Sequence, residues 1–136
     1  MKDANCIFCK LANGEIPTNK IYEDDDFTVI LDASPAAKGH ALILPKEHFA
    51  NLYEINDDVA AKVLPLAKKL VCHMTDALHC DGFNVLQNNG EVAGQTGFHF
   101  HMHLIPRYAS GNQILTWSHE TLTDEEMKEI CDTLKQ

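Results

Sequence analysis

The sequence predicts an α+β fold: a five-stranded, mainly antiparallel sheet carrying one long helix and short terminal helices. Two short-linked strand-like runs and a third precede a single long stretch of helical periodicity, and two further strand-like runs follow it. With 136 residues, 45% of them hydrophobic, the chain suffices for one core and is short for two. One domain over 1–136 is therefore expected, with a core at about 6–107 and a tail at 108–136.

Residues 6–11 read as a turn or helical start that Asn13-Gly14 and Pro17 bring to an end. The first strand spans 20–23, Asp24-Asp25-Asp26 turns the chain, and β-branched and aromatic residues mark the second strand at 27–31, completing a hairpin. A third strand at 40–44 stops at Pro45, and His48 begins a short turn or helix. Asn56 is an N-cap followed by acids at 57 and 58, and Val59, Val63, Leu66, Leu70 and Met74 recur at helical spacing to about His79. Pro65 lies inside this stretch and predicts a kink near Ala61 or a later start. Strands four and five are expected at 83–87 and 98–107, and Thr123-Asp124-Glu125-Glu126 opens a final helix to about Leu134. If the helices cover one face of the sheet, the other is free for a ligand.

Eleven Lys and Arg against twenty Asp and Glu give a formal charge of −9, which argues against nucleic acid and anionic membranes as partners. A small anion would be held by histidines, backbone N–H groups and hydroxyls, because no stretch concentrates basic residues. The start lacks the apolar stretch of a signal peptide and no run is long enough to span a bilayer, so a cytoplasmic protein is expected. Five cysteines, an odd count, do not suggest a disulfide framework, and Cys72, Cys80 and Cys131 read as plain buried or half-buried thiols.

The chemistry concentrates in His99-Phe100-His101-Met102-His103-Leu104-Ile105. On a strand, Phe98, Phe100, Met102 and Leu104 would enter the core while the histidines form a row on the opposite face. Such a row suits a metal, or a nucleophilic imidazole flanked by donors to anionic oxygen. Histidines at the two ends would be ~13 Å apart along a strand, so a single tetrahedral ion would take one or two and recruit others elsewhere. The preceding loop, Asn88-Asn89-Gly90-Glu91-Val92-Ala93-Gly94-Gln95-Thr96-Gly97, combines glycines with amide and hydroxyl donors and suits a phosphate. Cys6-Ile7-Phe8-Cys9 is a lone CxxC with no strand ahead of it, which favours half of a structural zinc site over a redox pair. His73 and His79 fit helix-end roles, and His119 sits in a polar tail.

On the histidine row the chain resembles the histidine triad (HIT) family. The likeness runs over about 6–107 through Ile7-Phe8, Glu15-Ile16-Pro17, Tyr22-Glu23-Asp24, Asp32, Ser34-Pro35, Gly39-His40, Leu44-Pro45-Lys46, His48, Asn88, Gly90 and Gly94-Gln95-Thr96. The resemblance implies a homodimer whose two sheets join into ten strands, a purine nucleotide or nucleotide conjugate as ligand, and nucleotidyl transfer through a covalent histidine. It assigns catalysis to His101 as nucleophile, with His103 at phosphate or ribose and His40 supporting the row from its neighbouring strand. Asn88, Gly94, Gln95 and Thr96 would hold phosphate and leaving group, Asp32 the ribose, and Ile7, Phe8 and Leu11 the base. As in the family's zinc-bearing bacterial members, Cys6, Cys9, His48 and His99 would hold a structural zinc. Thr96 stands where many members carry Ser, and the tail from Ser110 departs from the phosphoramidase pattern, with Trp117 a candidate substitute. The expected activity is hydrolysis of purine nucleoside phosphoramidates or adenylyl conjugates. The alternatives are a diadenosine polyphosphate hydrolase, or a nucleotide-binding or partner-docking protein with incidental turnover.

Overall fold

The computed structural model describes residues 2–111 and 115–136; part of the expected tail, 112–114, lies outside the described residues. Along the chain, α1 (Ile7–Ala12) precedes β1 (Lys20–Glu23), β2 (Phe27–Leu31) and β3 (Ala41–Pro45). The long α2 (Asp57–Leu78) leads into β4 (Gly82–Leu86), a 3₁₀ turn (Glu91–Ala93), β5 (Met102–Arg107) and α3 (Asp124–Leu134). The five strands form one antiparallel sheet in the order β1-β2-β3-β5-β4, so the two strands that follow α2 are added beside β3.

Both faces of the sheet's centre are buried, and each has its own helix. Alternation sends Phe27 and Val29 of β2, Ala41 and Ile43 of β3, and Leu104 of β5 against Val59, Val63, Leu66, Ala67, Leu70 and Met74 of α2. The opposite positions, Ile30, Leu42 and Leu44, pack with Ala12, Phe8 and Leu11 of α1. The ligand-side face is thus partly roofed by α1 rather than bare, which turns an open surface into a walled cavity.

Asn56 caps α2 by accepting from the Val59 N–H, and Asp57 and Asp58 complement the positive end of the helix. The helix runs as one element through Pro65, so it does not start late. Pro65 is exposed, which lets water reach the carbonyl freed at Ala61. In α3, Thr123 and Glu126 exchange the reciprocal bonds of a capping box, as the sequence indicates.

The largest departure concerns the fifth strand, which begins at Met102 rather than at 98. Pairing with β3 stops at Ile43↔Met102. Two positions on stands Pro45, which has no N–H to extend a ladder. The Phe100 N–H turns to the Phe49 carbonyl (2.6 Å). Phe100 still enters the core, but Phe98 is 51% exposed instead of buried.

Leu104 is fully enclosed between β3, β4 and α2, so Leu104→Ala should cost about 2–5 kcal/mol in denaturant unfolding. Loss of the α2 cap in Asn56→Ala should cost about 1 kcal/mol by the same measurement.

Candidate functional site

Register places His103 opposite Leu42 of β3 and Leu86 of β4, on the face that α1 roofs. Beneath that roof lies a cavity of about 790 Å³. Ile7, Phe8 and Leu11 of α1 line one side; Asp32, His40, His101 and His103 line the sheet side; Asn88, Gly94 and Thr96 contribute the loop. No Lys or Arg is among the lining residues.

Backbone partners fix how each imidazole presents itself. The His101 Nδ1 lies 2.7 Å from the His99 carbonyl, which can only accept, so Nδ1 carries the proton and Nε2 keeps the lone pair. The Ala36 N–H donates to His40 Nδ1 (2.9 Å), which places the His40 proton on Nε2. That Nε2–H in turn donates to His103 Nδ1 (2.9 Å), leaving His103 with a free Nε2–H. His101 and His103 therefore stand edge to face with 5.0 Å between ring centres, one offering a lone pair and the other a donor. Burial and the neighbouring imidazoles of His101 and His40 push the His103 pKa down to about 4, and burial also lowers that of His40. Asp32 accepts from the Ser34 N–H through Oδ1, while its Oδ2 lies 3.5 Å from His40 Nε2.

A second constellation, Cys6, Cys9, His48 and His99, adjoins the first. His99 Nε2 is 2.8 Å from the Pro45 carbonyl, so it holds the proton and turns the Nδ1 lone pair inward. That Nδ1 is 3.4 Å from both Cys6 Sγ and Cys9 Sγ and 3.3 Å from His48 Nδ1, and Cys9 Sγ is 3.4 Å from His48 Nδ1. Tetrahedral bonds of ~2.0 Å to nitrogen and ~2.3 Å to sulfur would separate two nitrogen ligands by ~3.3 Å and a nitrogen from a sulfur ligand by ~3.5 Å. The donor set thus fits a zinc-sized ion in both chemistry and spacing. Asp32, His40 and His103 also converge, but there the 2.9 Å between imidazole nitrogens is the length of a hydrogen bond and too short for a chelating pair. Burial and the adjacent histidines push the His99 pKa down to about 4, and burial raises that of the Cys9 thiol.

The structure gathers every residue expected at the ligand except Gln95. That side chain is 2% exposed and braces the loop: its amide nitrogen donates to the Ala50 and Gly97 carbonyls while its oxygen accepts from the Gly90 N–H and the Asn51 amide. His99 faces Cys6, Cys9 and His48 instead, so the three histidines do not form one row. Leu42, Leu86 and Ile105 also line the cavity without having been singled out. For Leu42 and Leu86 the signal was cross-strand register with His103, which the sequence does not display, whereas Ile105 shares the His103 face of β5 by period-two alternation. Trp117 is 75% exposed.

Comparison with known proteins agrees with this geometry. The HIT domain matches residues 13–110. The adenosine 5'-monophosphoramidase hnt1 of Schizosaccharomyces pombe is 41% identical over 134 residues, covering 96% of each chain. A crystal structure of a HIT family member from Bacillus subtilis superposes with a TM-score of 0.88 at 40% identity, over 96% of this chain and 94% of that one. A zinc-bound histidine triad family protein from Mycobacterium smegmatis gives 0.76 at 30% identity, over 96% and 98%. With the domain match spanning most of the chain and relatives matched along nearly their whole length, the chain belongs to the HIT domain family.

Proposed function

We propose that this chain is a HIT-type hydrolase of purine nucleoside phosphoramidates and related adenylyl conjugates, acting through a nucleotidyl group held on His101. The observation that carries the reading is the pairing of opposite tautomers: a lone pair on His101 Nε2 beside a free N–H on His103 Nε2, both in one walled cavity. A neutral imidazole attacks phosphorus without prior deprotonation. His101 Nε2 forms a bond to the α-phosphorus, the P–N bond of the substrate breaks, and the leaving nitrogen departs with its electron pair and takes up a proton from solvent. Water then attacks the phosphorus and gives up one proton to solvent, the N–P bond to His101 breaks with its electron pair returning to Nε2, and the nucleoside monophosphate leaves, so that one water is consumed overall. Throughout, His103 donates to a phosphoryl oxygen, and Asn88, Gly94 and Thr96 shape the phosphate end.

The phosphoramidase activity carried in the name of the Schizosaccharomyces pombe relative supports this reading. The lining supports it independently of that name: with no Lys or Arg among the described lining residues, a single phosphoryl group with an amine leaving group suits the cavity better than a polyphosphate chain. Asp32 accepts the ribose hydroxyls, and Ile7, Phe8 and Leu11 receive the base. His40 holds His103 in its donor tautomer. Incubation with adenosine phosphoramidate followed by intact-mass measurement should show a nucleotidyl adduct that is absent in His101→Ala; binding without adduct or turnover would instead favour a nucleotide-binding or docking role.

Zinc at Cys6, Cys9, His48 and His99 is part of the same proposal, as a closed four-ligand set that stabilises the fold. Two supports are the inter-ligand spacing and the zinc-bound Mycobacterium smegmatis relative. Elemental analysis of protein purified without chelator should find about one zinc per chain, and Cys6→Ser should lower both zinc content and thermal stability. A content well below that would remove zinc from the account. A homodimer is proposed as well: a ten-stranded sheet needs an open edge, and β4 is one, with Val85 46% exposed.

The pH dependence follows from His103. Unfolded histidine binds its proton near pH 6.5, while the folded site refuses it until about 4, so stability present above pH 6.5 is lost as the pH falls through that window. Melting temperatures should therefore drop between pH 6.5 and 4, and His103→Gln should make that slope shallower without abolishing it, because buried His99, also held down to about 4, contributes over the same window.

A further inference from the structure

The cavity lining gives Phe8 the place of a base-pocket wall, yet its ring is engaged elsewhere as well. It stacks on His101, with 5.0 Å between ring centres and planes 28° apart, and tilts against His99 at 6.1 Å. Phe8 is also an interior residue of Cys6-Ile7-Phe8-Cys9, so both thiol ligands of the metal cluster flank the ring that covers His101. The His101 imidazole is held at its edge by the His99 carbonyl and on one face by Phe8.

Gly97 supplies the space for this arrangement. Its backbone is not in the left-handed region, so any residue could adopt its conformation, but a Cβ there would run into the Phe8 ring. The glycine is required by the ring rather than by a turn. The covalent tether at Cγ and a single hydrogen bond at Nδ1 leave the imidazole a soft tilt about Cβ–Cγ, because hydrogen bonds tolerate wide angles; a ring stacked on its face narrows that tilt. Attack on phosphorus requires the Nε2 lone pair to lie in line with the departing group, so a ring that limits tilt acts on the rate of the chemical step.

We propose that Phe8 is a positioning residue for His101, and that Gly97 and the Cys6–Cys9 turn serve to hold it there. The proposal rests on the nucleophile reading above for its kinetic arm alone. Three variants of the metal-loaded full chain test it: Phe8→Leu, which keeps an apolar wall without a planar face; Gly97→Ala, which displaces the ring while retaining it; and Phe8→Tyr, which restores a ring. Zinc content and melting temperature are recorded for each.

With adenosine phosphoramidate, Phe8→Leu and Gly97→Ala should each lower kcat on the order of ten- to a hundredfold with KM changed by less than about threefold, and Phe8→Tyr should recover most of the loss. In proton NMR of the ligand-free protein, the carbon-bound ring protons of His101 should lose the upfield ring-current shift in Phe8→Leu and keep it in Phe8→Tyr. A rise in KM at unchanged kcat, or His101 ring protons that do not move in Phe8→Leu, would overturn the proposal and leave Phe8 a wall of the base pocket. Should the wild-type chain show no turnover, the hydrolase reading fails while the spectroscopic arm still decides where Phe8 sits.

Discussion

Three polar contacts meet in His99, and the remainder of the site is arranged around them. Its Nε2–H is committed to the Pro45 carbonyl, its Nδ1 faces two thiols and His48, and its own carbonyl receives the Nδ1–H of His101. Each role fixes the next. The Pro45 bond selects the tautomer, the tautomer directs the lone pair into the cluster, and the anchored backbone presents the carbonyl that aligns His101. This residue is completely buried, so none of these interactions competes with water. Among the described residues, no buried side-chain nitrogen or oxygen lacks a partner, as such an arrangement requires.

The two helices that cover the sheet have different duties. α2 closes an apolar core with six buried residues spaced for one face, and its contribution is stability. α1 has only six residues and could not persist alone. It is held by Leu11 and Ala12 against β2 and β3 and by Cys9 in the cluster, and it returns Ile7, Phe8 and Leu11 to the cavity wall. The Cys/His cluster therefore ties this roof to the strand-side histidines through Cys9 and His99. β2 and β3 supply the floor on which that roof rests, through Ile30, Leu42 and Leu44.

Much of this was legible in the chain, because period-two and period-3.6 patterns report burial directly. Val59, Val63, Leu66, Leu70 and Met74 marked the buried face of α2, and the caps at Asn56 and Thr123 sit where their side chains indicated. Most of the side chains that converge on the cavity and on the Cys/His cluster were legible too, because histidines and cysteines at these spacings stand out from an ordinary strand or turn. What escaped was set by contacts remote in sequence. Pro45 ends the ladder that would have carried the fifth strand back to Phe98, and the Phe49 carbonyl captures the freed N–H of Phe100. Gln95 has the side chain of a phosphate binder, but Ala50, Gly90 and Gly97 satisfy it first. Likewise the stacking of Phe8 on His101 depends on a glycine nearly ninety positions away along the chain.

Opposite tautomers are imposed on two histidines only two residues apart, at His101 by the His99 backbone carbonyl and at His103 by the His40 imidazole, whose own tautomer the Ala36 N–H sets. Long-range proton–nitrogen correlation of 15N-histidine-labelled protein at pH 8, above the ordinary imidazole range, reads this directly, with His→Gln variants assigning the signals. The account predicts a protonated Nδ1 and bare Nε2 at His101, and a bare Nδ1 with protonated Nε2 at His103. A proton on Nε2 of His101, or the same tautomer at both residues, would contradict it.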